Sequence, residues 1–414
     1  MGVIAVRSDL GADYGNIGCH LNAPRCDEAS FPIHALAHLR IAEFMHEQPL
    51  MGPVSLVLRA PFVAVANLFD ANLVTVYRVG VFACLLALAL LAVMLVARSL
   101  AQGHAWVHTA VIGVVAVINP LVTSAIDQGH PEEAVAGAAG IAAALWAIDR
   151  RCNLAAVALA LAIATKAWAL LLVVPIALMV DPSARRQFAT VVAIGLLCLY
   201  VPLSLGDTER FRQVTEAAGQ LGSVPGQVTP ANAWFFTAHP GTFSRPVAVD
   251  HGQLVYADAR GYAVSVPVAR LAHALVLILG LALTIAWYRR AGPSDPATLL
   301  LVLAAILLMR CILDPGNHSY YHLPAALALL GWEAVRRPRA RFPWLAALFI
   351  ASVWAIAKVK PHLDSDTAFA WVYLGVEVPM CALIVGLALN PCRRSRSTPR
   401  TPPSPTSPRH ATVS

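Results

Sequence analysis

The sequence predicts an all-α fold: a polytopic transmembrane helical protein of about 10–11 membrane segments joined by external and cytoplasmic loops. Three observations lead there. Hydrophobic residues make up 58% of the chain and charged residues 13%, with a mean hydropathy of +0.65; a soluble domain carries roughly 25% charged residues. Apolar runs of about 17–25 residues recur, the length an α-helix needs to cross hydrocarbon. They are continuous rather than alternating, which excludes an outer-membrane barrel. Finally, the arginines behind the net charge of +7 sit in short clusters between the runs. That is the signature of cytoplasmic loops rather than of a nucleic-acid surface, so no nucleic-acid partner is expected.

Taken in order, residues 1–53 form a polar segment that shows no basic start followed by an apolar core. Within it, residues 33–48 read as one loosely amphipathic helix with Ile33, Ala37, Ile41 and Phe44 on one face. Pro49, Pro53 and Pro61 then break the chain, and 48–62 reads as an interfacial or re-entrant piece with Arg59 at its edge. Residues 54–390 form the transmembrane domain, with spans at 76–97, 106–126, 132–148, 188–205, 266–288, 298–313, 320–335, 343–358 and 369–390. Between Arg150 and Arg185 the segment must enter the membrane and return, because both arginines belong on the cytoplasmic side. Two short helices meeting near Thr165 and Lys166 satisfy that. The tail, 391–414, is rich in Pro, Ser, Thr and Arg, cannot bury a core, and reads as a disordered cytoplasmic end. Eight cysteines show no metal-ligand spacing; Cys84, Cys198, Cys311 and Cys381 read as small buried hydrophobes, and Cys19 and Cys26 pair if their loop faces an oxidising compartment.

The arginine clusters orient the loops. Arg98, Arg150, Arg151, Arg185, Arg186, Arg289, Arg290, the group 336–341 and the group 393–396 mark the cytoplasmic set. The alternate loops, 127–133, 206–265, 314–322 and 358–367, then fall on the external face. Nearly all concentrated Asp, Glu, His and Asn residues outside the arginine clusters lie in that second set, so a site assembled there from several loops is the natural expectation.

Four features carry candidate chemistry. DQGHPEE at 127–133 sets His130, a titratable donor or acceptor, beside Asp127, Glu132 and Glu133; a plain polar helix start, favoured by the helix dipole, is the alternative. Lys166 stands in an otherwise apolar stretch, where a charge is expensive and pairs most simply with an anion; snorkelling to the interface is the alternative. DPGNHSYYH at 314–322 holds Asp314, Asn317, Tyr320, Tyr321 and His322, of which an interfacial aromatic belt explains only the tyrosines. It has no compact zinc motif. In the loop 206–265, Trp234 and its aromatic neighbours suit sugar rings, lipid headgroups or an ordinary packed cap. Residues 1–30 contain Asp9, Asp13, Asp27 and Glu28; if they face outward, an Asp among them can serve as a base, and spacing does not choose which.

The segments NPLVTSAIDQGHPEE, ATKAWALLLVVP and LDPGNHSYYHLPAALALLGWE resemble the actinobacterial membrane proteins grouped with glycosyltransferase family 87, over about residues 30–390 in layout. The resemblance implies a GT-C-like enzyme using polyprenyl-phosphate sugars. It also implies an acidic base in a first external loop that follows a first transmembrane helix. The sequence begins within what would be that loop, so the helix expected ahead of it is absent, and Asp9 or Asp13 occupies the approximate place of the base. On this reading a sugar, mannose first among candidates, passes from a polyprenyl-phosphate-sugar donor to a lipid or glycan acceptor at the external face of the plasma membrane. Base duty falls to Asp9 or Asp13 with Asp127 as fallback. Lys166, His130 and His322 meet the phosphate, Trp234 and Tyr321 stack on the ring, and Glu132, Asp314 and Asn317 complete the binding set. No cofactor is expected, and a divalent metal is left open. The alternatives are a transporter or lipid flippase, which usually shows internal repeats that this chain lacks, and a non-catalytic remnant.

Overall fold

The computed structural model describes residues 30–390 except 47, 49–51, 70, 72, 219–225, 251–252 and 338–340. Asp9, Asp13, the pair Cys19 and Cys26, and the tail therefore lie outside the described residues. Six helices among those described are long and apolar enough to cross a membrane: Thr75–Ala101, Trp106–Asp127, Pro182–Gly206, Val266–Arg290, Trp344–His362 and Asp366–Leu389. Shorter apolar helices, including Pro53–Asn67, Cys152–Ile163 and Thr298–Leu313, pack among them. The protein is an all-α, multi-pass membrane protein.

The entry segment is two helices, α1 (Ser30–Ala37) and α2 (Ile41–His46), rather than one. The chain turns between them at Leu39, whose φ is +56. Ile33 and Phe44 are buried, whereas Ile41 is exposed, so the expected single apolar face is split. α1 packs on α3 (Pro53–Asn67) and α2 on α1, and Ile33, Phe44, Leu56 and Val63 share a cluster with Leu203. Arg59 is fully buried on α3 rather than at an edge, with its guanidinium 5.6 Å from the Tyr77 ring centre.

Next come α4 (Leu73–Ala101), α5 (Trp106–Val117), α6 (Pro120–Asp127) and α7 (Glu132–Ile148). The single span expected at 106–126 is bent, because the Asn119 side chain accepts from the N–H groups of Leu121 and Val122 (2.9 and 3.1 Å) and Pro120 starts a new helix. Gly129, at φ +77, makes the turn out of α6 that a side chain would oppose. The segment after Arg151 does divide where expected. Helix α8 (Cys152–Ile163) ends in a turn at Ala164 and Thr165, Lys166 is extended (φ −145, ψ 126), and a 3₁₀ turn (Ala167–Leu172) leads into α9 (Val173–Met179). α3 begins against that break. Gly52 and Val54 donate backbone hydrogen bonds to the carbonyls of Thr165 (3.2 Å) and Ala164 (3.4 Å). A Cβ on Gly52 would stand 1.9 Å from the Ala164 carbonyl oxygen, which is backbone and cannot step aside. Gly52→Ala should therefore cost about 1–3 kcal/mol or more, read as a lower melting temperature in detergent; an unchanged melting temperature would show that the two segments part freely.

Helix α10 (Arg185–Gly206) follows, then α11 (Thr208–Ala218), which Asp207 caps by accepting from the Arg210 N–H at 2.8 Å. That bond, and then His46, hold the Asp207 carboxyl below the usual carboxylate range. The loop expected over 206–265 also contains a small antiparallel sheet, β1 (Gly226–Val228), β2 (His239–Asp250) and β3 (Gln253–Val264), in the order β1-β3-β2. Its register pairs Val228 with Tyr262 and His239 with Ala263. Short β-branched and aromatic runs flanking Asp250 and Gly252 carry the hairpin signal, which is weak beside twenty-residue apolar spans. The remaining helices are α12 (Val266–Arg290), α13 (Thr298–Leu313), α14 (Leu323–Val335), α15 (Trp344–Val359) and α16 (Asp366–Leu389).

Burial sorts the helices into two shells. Residues 299–308 of α13 are each at most 1% exposed, and α7 and α14 are buried nearly all round. Around them, α10 and α12 leave Ile194, Leu197, Leu277 and Ile278 more than half exposed, a surface suited to lipid. Cys198 belongs to that outer surface, whereas Cys84, Cys311 and Cys381 are buried as expected. The arginine loops contact one another: Arg98 pairs with Asp149, the Arg336 carbonyl accepts from His104 Nε2 at 2.9 Å, and Arg185 reaches the Tyr288 hydroxyl at 3.4 Å.

Candidate functional site

The four polar loops converge on one cavity of about 480 Å³, within the range of small-molecule sites. Loop 127–133 contributes Gln128, the loop after β1 gives Thr229 and Ala231, and β3 gives Gly261 and Tyr262. The turn 314–322 supplies Asn317, His318, Ser319 and His322, and the junction of α15 and α16 supplies Lys360, Asp366, Phe369 and Tyr373.

Backbone bonds lock these loops together. Thr229 donates through its N–H to the Pro315 carbonyl (3.1 Å) and through its hydroxyl to the Asn317 carbonyl (2.7 Å). Asn317 is 1% exposed, and its amide donates to the Ala231 carbonyl at 2.8 Å and the Tyr373 hydroxyl at 2.9 Å. His322, also 1% exposed, uses Nδ1 on the Ser319 carbonyl (3.0 Å) and Nε2 on the Tyr373 hydroxyl (3.1 Å). A carbonyl only accepts, so Nδ1 carries the proton and Nε2 accepts from Tyr373. At the rim, Ser365 caps α16 through the Ala368 N–H (3.1 Å), and Asp366 follows in its first turn. Tyr262 hydrogen-bonds Asp366; desolvation first, then that carboxylate, raises its phenol above the ordinary value. Lys360 holds its ammonium 5.4 Å from the Phe369 ring centre.

Behind the cavity lies a second, ionic cluster. Lys166 Nζ is 2.8 Å from Glu132 Oε1 and 3.8 Å from Glu133 Oε1, and both acids are fully buried. His130 Nδ1 shares Glu132 Oε1 at 3.0 Å, and the Trp168 indole N–H donates to Glu133 Oε2 at 3.0 Å. Arg310, 7% exposed, stands 3.6 Å from Asp314 Oδ2 and 4.5 Å over the Tyr321 ring centre. Stacked rings join cluster to cavity, with Tyr320 4.8 Å from His130 and 5.5 Å from His318.

Of the residues singled out from sequence, Asn317 and His322 line the cavity, and Asp127 is half-buried next to Gln128, which does. His130, Glu132, Lys166, Asp314 and Tyr321 instead form the cluster behind it. The anion that Lys166 meets is thus the chain's own, because Glu132 and Glu133 close on it from α7. Both cations there, Lys166 and Arg310, stand beside carboxylates of the chain itself. Tyr321 lies under Arg310 and edge-on to Tyr320 (4.8 Å), and Trp234 spends its indole N–H on the Leu313 carbonyl (2.7 Å). Neither lines the cavity, and both are half-buried.

Sequence reasoning passed over Arg310 and Glu377. Each is a charge inside an apolar run, the same signal that singled out Lys166. Asp366 was visible only as one polar residue of an external loop and Tyr262 as one of the aromatic neighbours of Trp234 in the loop 206–265, and Lys360 carried no signal of its own.

Chemically, the cavity offers amide, imidazole and hydroxyl groups, one carboxylate, one ammonium and the aromatic rings of Tyr262, Phe369 and Tyr373. That set suits a neutral polyhydroxylated ring with an anion beside it. Among the described residues no group of three His, Cys, Asp or Glu is placed to hold a metal ion. No protein-family model matches this chain, and no curated protein matches it either.

Proposed function

We propose that the protein is an integral-membrane glycosyltransferase of GT-C type that moves a sugar from a polyprenyl-phosphate carrier to a lipid or glycan acceptor at the external face of the plasma membrane, with its C-terminus cytoplasmic. The observation that carries the reading is the convergence of the four loops that alternate with the arginine clusters on one cavity of saccharide size and chemistry. α14 adds support. At 13 residues it is only about 20 Å long, so the polar turn before it is recessed below the level that a full span reaches. Irregular polar backbone at such depth is tolerated where it lines a cavity, and a lipid-borne sugar enters a recessed site directly from the bilayer.

In the reaction, the acceptor hydroxyl oxygen bonds to the anomeric carbon while the carbon–oxygen bond to the carrier phosphate breaks. The phosphate leaves with the electron pair, and the hydroxyl proton passes to a carboxylate. Among the described residues Asp366 is the carboxylate lining the cavity, and Asp127 is one residue removed from the lining. Lys360, rather than Lys166, is the cation available to the departing phosphate. Asn317, His318 and Gln128 supply hydrogen bonds to ring hydroxyls.

Membranes containing the protein should transfer label from a radiolabelled polyprenyl-phosphate sugar to an extractable acceptor; transfer equal to that of membranes without it would sink the reading. Orientation is tested separately. In a chain whose native cysteines are replaced, cysteines at Gln128, Gly316 and Ser365 should react with an impermeant thiol reagent from outside, and ones at Ser294 and Ser397 should not. Labelling of both sets from the same side would remove the external site.

A further inference from the structure

Glu377 lies inside α16, a helix long and apolar enough to cross the membrane, and is 0% exposed. Neither carboxylate oxygen has a hydrogen-bond partner among the described residues. The titratable groups facing it are Tyr373 and Cys381, one turn to either side on α16, and Cys311 on α13. None is a cation. Both thiols point at carbonyls, Cys311 at Tyr321 (3.3 Å) and Cys381 at Ala305 (4.0 Å). A carboxylate without donors or counter-charge is expensive in such a place, and an ionisable group within a span is by default a functional one. The inexpensive occupant is a proton.

The position of Glu377 gives that proton a route. Helical side chains lean toward the N-terminus and meet at i and i+4, so Glu377 leans toward Tyr373. Tyr373 lines the cavity and directs its hydroxyl proton at His322 Nε2 (3.1 Å), while Asn317 donates to the same oxygen (2.9 Å). His322 lines the cavity as well.

We propose that Glu377 is a proton-binding site inside the membrane that exchanges its proton with the cavity through Tyr373 and His322. In one exchange the Glu377 side chain, which makes no hydrogen bond at rest, swings to set its carboxyl O–H on the Tyr373 oxygen; His322 Nε2 takes the Tyr373 hydroxyl proton and the carboxyl proton replaces it. The carboxyl loses the proton that the imidazole gains, each bonding pair stays on the oxygen that held it, and the reverse step reloads the acid. The site is independent of the glycosyl-transfer reading, since it requires only an aqueous cavity above Tyr373.

Infrared spectroscopy of the purified full chain tests it. The wild type at neutral pH should show a carboxylic-acid C=O band that Glu377→Gln removes and Glu377→Asp retains at a shifted frequency, so that the assignment survives if the Gln variant does not accumulate. In D₂O the band should shift as the proton exchanges, and Tyr373→Phe should slow that shift by at least about tenfold. A spectrum in which neither Glu377 variant alters an acid band overturns the proton site. A band that exchanges equally fast in wild type and Tyr373→Phe overturns the route.

Discussion

Asp366→Asn should lower sugar transfer by about 10²–10⁴-fold, the usual contribution of a positioned base, while KM for the donor stays near its wild-type value. The carboxylate sits in the first turn of α16, lines the cavity and accepts from Tyr262. Asn keeps the shape and the hydrogen bond but cannot take the acceptor's proton. Because Ser365 provides the helix cap, the substitution should leave folding intact. Loss of a group that acts only in the transition state appears in kcat rather than KM. Asp127→Asn, in parallel, should change kcat little. If the two outcomes are exchanged, base duty belongs to the 127–133 turn; if neither variant loses activity, no carboxylate among those two is the base.

The second large effect is on stability. Lys166→Ala should destabilise the fold by about 3 kcal/mol or more, because removing one partner of a buried pair leaves the other charge uncompensated. Here the residue left behind is Glu132, fully buried, with Glu133 fully buried beside it. Lys166 is itself partly open, with 19% of its side chain exposed, which moderates the loss. A charge-neutral double variant, Lys166→Met with Glu132→Gln, should recover most of it. Thermal unfolding in detergent measures both. An alanine variant with wild-type stability that instead loses donor affinity would return Lys166 to the phosphate-binding role its sequence setting suggests.

What the sequence determined by itself is the class of molecule and the grouping of its loops. Twenty-residue apolar runs have one stable form in hydrocarbon, since every backbone N–H must be paired inside its own segment. The helices at 185–206, 266–290 and 366–389 accordingly lie where hydropathy puts them. The break at Lys166 was legible for a related reason: arginines on both sides of one stretch demand a return. The four polar loops were likewise visible as one set, and they do meet at one cavity.

Only the tertiary structure decided which polar residues face that cavity. Lys166 and Glu132 are 34 positions apart, and nothing local to either records that they pair at 2.8 Å. Once they do, a lone buried cation becomes half of an internal ion pair and its call for an outside anion is gone. Asp366 and Tyr262, on different elements, meet only because β3 folds back over the start of α16. Periodicity fixes which face of a helix is apolar, but the partner across that face is set by packing of distant segments, and with it the difference between a ligand contact and a structural one.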